Sequence, residues 1–360
     1  LALGAEQKGS FCLGRNSELL ISPDFGDLSL LENLSKYRAF LDETCRREKC
    51  KPRVIAHDLH PGYSTTRLAR YLADSVFPGA VTVGVQHHHA HLASVMLDQG
   101  LSGPILGIVW DGTGFRPDGT IGGGEFLEAD YDSFRTLARL ESITMPGGDE
   151  AVKNPWRLAA AALGGFLKRE GPLPPIEFFD KLKKEDSSAV LEMIDKNLNS
   201  PPSSSMGRLF DAVAALLGLA WDDAGPAEAA FALEEAAGGG RNRPYQFNLN
   251  QSRRPLLVET QLIFTEIIED LIEKKPPSKI SARFHATVIE IGRKTALTLS
   301  EETGINRLVL AGGVFQNRII RDGLEAALHG AGLNVFLPGK TPVHDGGIAP
   351  GQAAVSAAQY

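Results

Sequence analysis

Three strand-length apolar runs alternate with helical stretches in the first third of the chain. They are Arg53-Val54-Ile55-Ala56, Val81-Thr82-Val83-Gly84-Val85 and Ile105-Leu106-Gly107-Ile108-Val109-Trp110. Residues 66–75 read as a helix between the first two, and residues 88–97 as a helix after the second. Strands apolar along their whole length need cover on both faces, and helices supply it in an α/β body with ligand loops at the strand ends. The rhythm returns near the C-terminus, with a strand at 307–310, the loop Gly312-Gly313, a helix at 319–328, a strand at 333–337 and a helix after Gly346. Two α/β cores fit this order, although no close repeat relates them.

Between the cores the pattern is helical. Residues 159–163 read as helix, stopped by Gly171-Pro172-Leu173-Pro174-Pro175, and charged helices follow at 178–184 and 190–196 before Pro201-Pro202-Ser203-Ser204-Ser205. This segment reads as a peripheral insertion near 158–205 that covers the core rather than forming it. Further helices are expected at 210–219, at 228–237 before Gly238-Gly239-Gly240, at 262–272 and at 280–300. At 360 residues the chain suits two lobes. We place the first at 1–135, with 338–360 returning to pack on it, and the second at 136–337.

Composition narrows the function. With 43% apolar and 22% charged residues a core is possible and wholesale disorder is not. A net charge of −7 argues against a general nucleic-acid coat. Cys12, Cys45 and Cys50 cannot make a disulfide framework, and Cys45 and Cys50 lack a second pair to complete a zinc site. A cytoplasmic, reducing compartment is the simple reading. No run of 18 apolar residues occurs, so no membrane span is expected. The chain opens at Leu1 in strand-like sequence without the regions of a signal peptide, and reads as part of a longer protein.

The strongest local signal is Gln86-His87-His88-His89-Ala90-His91, which follows a strand and opens a helix. His87 and His91 stand one turn apart on one face, a half-site for a divalent metal. His88 and His89 point elsewhere, as structural or rim residues. Asp345, in His344-Asp345-Gly346-Gly347, is the best carboxylate to complete the site, and a helix cap explains it equally well. Asp111-Gly112-Thr113-Gly114 follows a strand, as an acidic loop handling phosphate or Mg²⁺ would. Asp118-Gly119 is a hairpin turn. Gly312-Gly313-Val314-Phe315-Gln316-Asn317 lets a nucleotide approach bare backbone, with Asn317 able to bond a ribose or base. Asp211, after Gly207, either takes ribose hydroxyls or favours its helix dipole. Lys153 and Arg157 suit an anion or pin the helices around them. No GxSxG nucleophile elbow occurs, and no cysteine sits in an evident His/Cys arrangement, which favours group transfer without a covalent enzyme intermediate.

These segments, with Leu3-Gly4-Ala5-Glu6, Asp58-Leu59-His60-Pro61, Gly123-Gly124-Glu125, 145–149, 153–157 and Asp345-Gly346-Gly347-Ile348-Ala349, resemble the C-terminal transferase part of the HypF family of hydrogenase-maturation carbamoyltransferases. The match runs over almost the whole chain, with its motifs in order. A cousin family is the tRNA threonylcarbamoyladenosine transferases, which share the fold and the paired histidines. The resemblance implies a duplicated actin-like ATPase (ASKHA, RNase H-like) two-lobed fold with a helical insertion. It implies transfer of a carbamoyl group from carbamoyl-adenylate to the C-terminal cysteine of HypE, towards the cyanide ligands of [NiFe]-hydrogenase. An upstream YrdC-like domain, absent here, would make the adenylate from carbamoyl phosphate and ATP.

By the same resemblance His87, His91, Asp345 and Asp111 would hold a divalent metal, zinc or iron, with His87, His91 and Asp111 catalytic. Gly112, Thr113, Gly207, Asp211, Glu228, Gly312, Gly313 and Asn317 would hold the nucleotide, with Mg²⁺ as a companion. The sequence departs from the family at Gly122, where Trp is usual, and at Pro226-Ala227-Glu228-Ala229-Ala230 for the usual Glu-Gly-Gln-Ala-Ala. The run Gly62-Tyr63-Ser64-Thr65 is one residue shorter than the family's. Weaker nucleotide affinity or turnover is the expected consequence. The alternatives are the tRNA enzyme, which the charge disfavours, a sugar or acetate kinase of the same broad fold, and a non-catalytic nucleotide-binding scaffold.

Overall fold

The computed structural model describes the chain apart from residues 117, 168–171, 183, 223–224, 226 and 241, and apart from the side chains of 184–187. Ala2 bridges Cys12 on one side and Ala56 on the other. The first residues thereby join the hairpin β1 (Cys12–Arg15) and β2 (Glu18–Ile21) to β3 (Val54–Asp58), which runs parallel to β4 (Val81–Val85). Helix α1 (Leu31–Arg47) buries Tyr37 and Leu41 against Phe11, Leu28 and Ile55. Helix α2 (Ser64–Tyr71) continues as a π-turn over Leu72–Val76, and α3 (His87–Asp98) follows β4 directly.

The second sheet explains why Ile105 to Trp110 is apolar on both faces. Strand β5 (Ile105–Phe115) lies at its centre, antiparallel to β6 (Ile121–Ala129), which pairs in turn with β7 (Phe134–Leu140). Ile105 and Val109 face Leu92, Val95 and Met96 of α3. Leu106, Ile108 and Trp110 face the helices of the other side. Beyond β7 lies the pair β8 (Ile143–Thr144) and β9 (Pro202–Ser203), with α4 (Asp149–Lys153), α5 (Trp156–Ala162), α6 (Gly164–Leu167), α7 (Glu177–Lys181) and α8 (Lys184–Asp195) between them. Then come α9 (Met206–Leu216), α10 (Glu228–Ala236), β10 (Asn248–Asn250), β11 (Leu256–Glu259), α11 (Gln261–Ile272) and α12 (Pro277–Thr303). The chain closes with β12 (Arg307–Ala311), α13 (Arg318–Gly330), β13 (Asn334–Phe336) and α14 (Ile348–Gln359).

Among the described residues nine strands make this sheet, in the path β10-β11-β7-β6-β5-β12-β13 with β8 and β9 attached beside β6. Helix α14 returns to the first sheet, where Ile348 and Ala349 pack with Ala2, Ala56, Ala90 and Ala93. Strands β5 and β6, which a division at 135/136 counts with the first lobe, pair in the large sheet with β7 and β12. Among the described residues no helix is long and apolar enough to cross a membrane.

Two expectations change. The segment near 158–205 does not merely cover the core, because Leu158, Ala159, Leu163, Phe178 and Val190 are buried in the same cluster as Trp110 and Phe210. Its apolar positions are short and interrupted, so the sequence hides how many point inward. Asp111-Gly112-Thr113-Gly114 is not a loop after the strand. It is the end of β5, with a register shift against β6 between Trp110 and Gly114. A bulge of this kind re-aims a side chain without ending the pairing.

Candidate metal centre

Helix α3 starts where it does because the Gln86 side chain accepts the amide of His89 at 2.8 Å, capping the first turn. That places His87 and His91 on one face with ring centroids 5.0 Å apart. The bulge at the end of β5 delivers Asp111, whose Oδ2 lies 3.2 Å from Nε2 of each histidine. The short turn before α14 delivers Asp345, whose Oδ1 is 3.8 Å from His87 and 3.6 Å from His91. One ligand atom from each of the four groups lies within 4.8 Å of the others. Two imidazole nitrogens and two carboxylate oxygens, gathered with little solvent access, are a donor set for a divalent cation.

Asp58, at the end of β3, accepts from Nδ1 of His87 at 2.7 Å. This leaves Nε2 to face the cluster, as a carboxylate behind a metal-bound imidazole does. The sequence marks Asp58 only as a motif letter, and its sole other signal is its place at a strand end. Asp58→Asn should lower metal affinity about 10–100-fold while leaving all four ligand atoms in place. A chelator competition titration reads this.

Burial opposes charging His87, yet Asp58, Asp111 and Asp345 together hold its protonation well above the ordinary imidazole range. His91 is raised in the same way by Asp111 and Asp345 against its burial. Burial likewise opposes ionising Asp111, but the two histidines hold it well below the usual carboxylate range. The carboxylates therefore favour the protonated imidazoles in the metal-free cluster. A cation must displace those protons, so metal affinity should rise with pH. A metal titration repeated across pH checks the sign.

The carboxylate of Asp111 is fixed from behind. Its Oδ1 accepts the amides of Gly112 at 2.8 Å and Gly313 at 3.2 Å. Gly312 carries the adjoining turn across the strand end at φ 101°, where a Cβ would lie 2.3 Å from the Trp110 carbonyl oxygen. Gly207 meets the same segment, its Cβ position 2.9 Å from the Cα of Gly112. Ser205 Oγ lies 2.8 Å from the carbonyl oxygens of both Asp111 and Gly112.

The remaining candidates take other places. Asn317 caps α13 by accepting from Ile320 at 3.0 Å, and its amide nitrogen donates to His285 Nε2 at 2.9 Å. Asp211 is buried and ion-paired at 2.9 Å with Arg208. Glu228 is exposed and accepts the Gly225 amide at 2.8 Å, while Thr113 is exposed at the bulge. Pro226 lies outside the described residues. Asp118 bonds the amide of Thr120 as a turn residue. Lys153 pairs with Glu150, and Arg157 packs over Trp156, so both are engaged locally. His89 bonds the Asp130 carbonyl at 2.7 Å.

His88 is buried and paired with Glu125, whose other oxygen meets Arg116. At Gly122, where the resemblance leads one to expect tryptophan, a Cβ would lie 2.7 Å from Glu125 Oε1, 2.9 Å from His88 Cε1 and 3.0 Å from Arg116 Nε. Those three side chains occupy the space beside Gly122.

The fold and the buried cluster define the class: two-lobed, actin-like α/β proteins with a His/Asp metal site. The model of the HypF Kae1-like domain matches residues 1–98, and that of the second subdomain of the carbamoyltransferase Kae1-like domain matches 107–352. Carbamoyltransferase HypF2 of Cupriavidus necator is 33% identical over 99% of this chain and 46% of its own length. A HypF homolog of the same organism is 34% identical over 100% of this chain and 91% of its own. The crystal structure of full-length HypF in the phosphate- and nucleotide-bound form superposes with a TM-score of 0.91 at 34% identity, covering 99% of this chain and 54% of that one. The chain belongs to the HypF carbamoyltransferase family. It spans about half the length of HypF2 and of the crystallised protein, and most of the shorter homolog.

Proposed function

We propose that this chain transfers a carbamoyl group from carbamoyl-adenylate to the C-terminal cysteine thiol of HypE, in the synthesis of the cyanide ligands of [NiFe]-hydrogenase. The observation that carries this reading is the convergence of His87, His91, Asp111 and Asp345 in a family of carbamoyltransferases. In the reaction the thiolate sulfur bonds to the carbamoyl carbon, the carbon–oxygen bond to the phosphate breaks, and AMP leaves with the electron pair while the thiol proton passes to solvent. A bound divalent cation, zinc or iron, would supply Lewis-acid polarisation of the acyl phosphate and offset charge on the departing phosphate.

The chain's own residues hold the geometry. The four ligands converge from α3, the β5 bulge and the turn before α14. Asp58 fixes the His87 tautomer, and the amides of Gly112 and Gly313 hold Asp111. Burial pushes the Cys12 thiol up to about 12, and burial with the neighbouring Cys50 does the same to Cys45, which disfavours both as nucleophiles. In this reading the nucleophile is the partner's. The glycines at 112, 207, 312 and 313 form the floor on which ATP or the adenylate would lie, with Mg²⁺ as its companion. In this reading Thr113, Asp211, Glu228 and Asn317 would supply ribose and base contacts, Asp211 and Asn317 by exchanging the partners they hold in this structure.

An upstream YrdC-like domain would provide the adenylate, and a cytoplasmic setting suits the three free cysteines. We place the lobe boundary at the α3–β5 connection, with 338–360 belonging to the first lobe. The test supplies carbamoyl-adenylate and purified HypE to the chain and follows the mass of the HypE C-terminal peptide. A carbamoyl increment is expected. Nucleotide binding without any increment would leave a scaffold, and a threonylcarbamoyl increment on tRNA, when threonylcarbamoyl-adenylate and tRNA are supplied instead, would transfer the assignment to the cousin family.

A further inference from the structure

We propose that Arg208, together with the first turn of α9, forms the clamp that holds the phosphate of the adenylate, bridging the glycine floor beside Asp111. This inference rests on the nucleotide reading above and gives a role to a residue that has none in the sequence reading. Arg208 is 7% exposed, so its guanidinium is a charge largely withdrawn from water. Such a charge is costly unless it is fully partnered. Its pairing is incomplete. Nε meets Asp211 Oδ2 at 2.9 Å, and among the described residues the two terminal nitrogens have no acceptor. The contact of Nε with Asp211 is an ion pair without hydrogen-bond geometry and is sealed from solvent, whereas neither terminal nitrogen is fully sealed.

The direction is set by Gly112. A Cβ there would lie 3.7 Å from Nη2 of Arg208, which puts the guanidinium over the strand end that carries Asp111. Gly112, Gly207 and Gly313 meet around that strand end, and each leaves it bare of side chains. Helix α9 is 11 residues long and points its first turn at the same place. Ser205 accepts the Arg208 amide at 3.2 Å, while the amides of Met206 and Gly207 have no acceptor among the described residues. Free first-turn amides and a guanidinium with two open donors match the oxygens of a phosphate. Asp211, in this arrangement, anchors Arg208 from behind.

The experiment measures calorimetric dissociation constants for AMP and for adenosine on the zinc-loaded chain, comparing wild type with Arg208→Gln, Asp211→Asn and the double variant. The readout is the ratio of AMP to adenosine affinity, which isolates the phosphate. It should fall about 10–100-fold in Arg208→Gln, the scale of hydrogen bonds to a charged group, and persist in Asp211→Asn. The double variant leaves no unpaired buried carboxylate, so it reports the same collapse should Arg208→Gln fail to fold. A ratio unchanged without Arg208, or AMP and adenosine weakened equally, would overturn the clamp. Wild type binding AMP no better than adenosine would overturn it too. Wild type binding neither ligand would remove the nucleotide reading itself, and the clamp with it.

Discussion

Replacing His91 with alanine is expected to strip the metal centre and abolish carbamoyl transfer while the chain stays folded. The argument is one of charge and count. His91 is buried, and among the described residues its partners in the site are the two carboxylates, 3.2 Å away at Asp111 and 3.6 Å at Asp345. Removing it takes away one of four ligands. It also leaves two acidic groups to share His87, which already serves Asp58. Burial opposes ionising Asp111 and Asp345, yet the two histidines hold both below the ordinary carboxylate range, and in the metal-free variant each carboxylate loses one of those imidazoles. The variant should therefore titrate a carboxyl closer to neutrality than wild type does. Metal loss should exceed the roughly 10–100-fold expected of Asp58→Asn, which only loosens a ligand from behind. Elemental analysis after dialysis reads the metal, and the mass of the HypE peptide reads the transfer. Full retention of metal by His91→Ala would mean that the four residues are a hydrogen-bonded cluster and nothing more.

What the sequence exposed was whatever depends on local spacing. The pair His87 and His91 is legible because a helix starting at Gln86 fixes the distance between i and i+4, and the structure keeps that start. Asp111 is legible as an acid at the end of an apolar strand. The bulge that turns it towards α3 is not, because it comes from the pairing of β5 with β6. Asp58 escapes for a similar reason, since its partner is 29 positions away and only the parallel pairing of β3 with β4 brings them together. Helix α1 gives little signal, burying only Tyr37, Leu41 and Thr44 on a narrow stripe of a polar segment. Asn317 is readable only as a ligand contact, and the structure instead has it capping α13 and donating to His285. Arg208 carries no sequence signal at all, because an arginine in a first turn is ordinary until the strand it covers is known.

Gly351→Val should disable the metal site without touching a ligand. Helices α3 and α14 carry His87 and His91 on one side and, through the turn before α14, Asp345 on the other. They meet backbone to backbone at Gly351. A Cβ there would lie 1.8 Å from the carbonyl oxygen of Ala90 and 2.9 Å from the amide nitrogen of Ser94. Neither is the far end of a flexible side chain, so α14 itself must move. Overpacking of a core costs about 1–3 kcal/mol, and a clash against backbone belongs at or above the top of that range. The displaced helix takes Asp345 with it, whose Oδ1 already stands farther from the histidines than Asp111 Oδ2 does. Gly330→Ala supplies the contrast. It lies at the end of α13 with nothing within 4 Å of its Cβ position, and should leave both stability and metal affinity near wild type or slightly raise stability. Thermal melts with and without zinc compare the two. Gly351→Val should melt lower and lose most of the zinc-dependent increase, because ligand binding stabilises only a state that still brings the four groups together. A lower melting point with the zinc increment intact would show that Asp345 is held by its own turn and that α14 only fastens the fold.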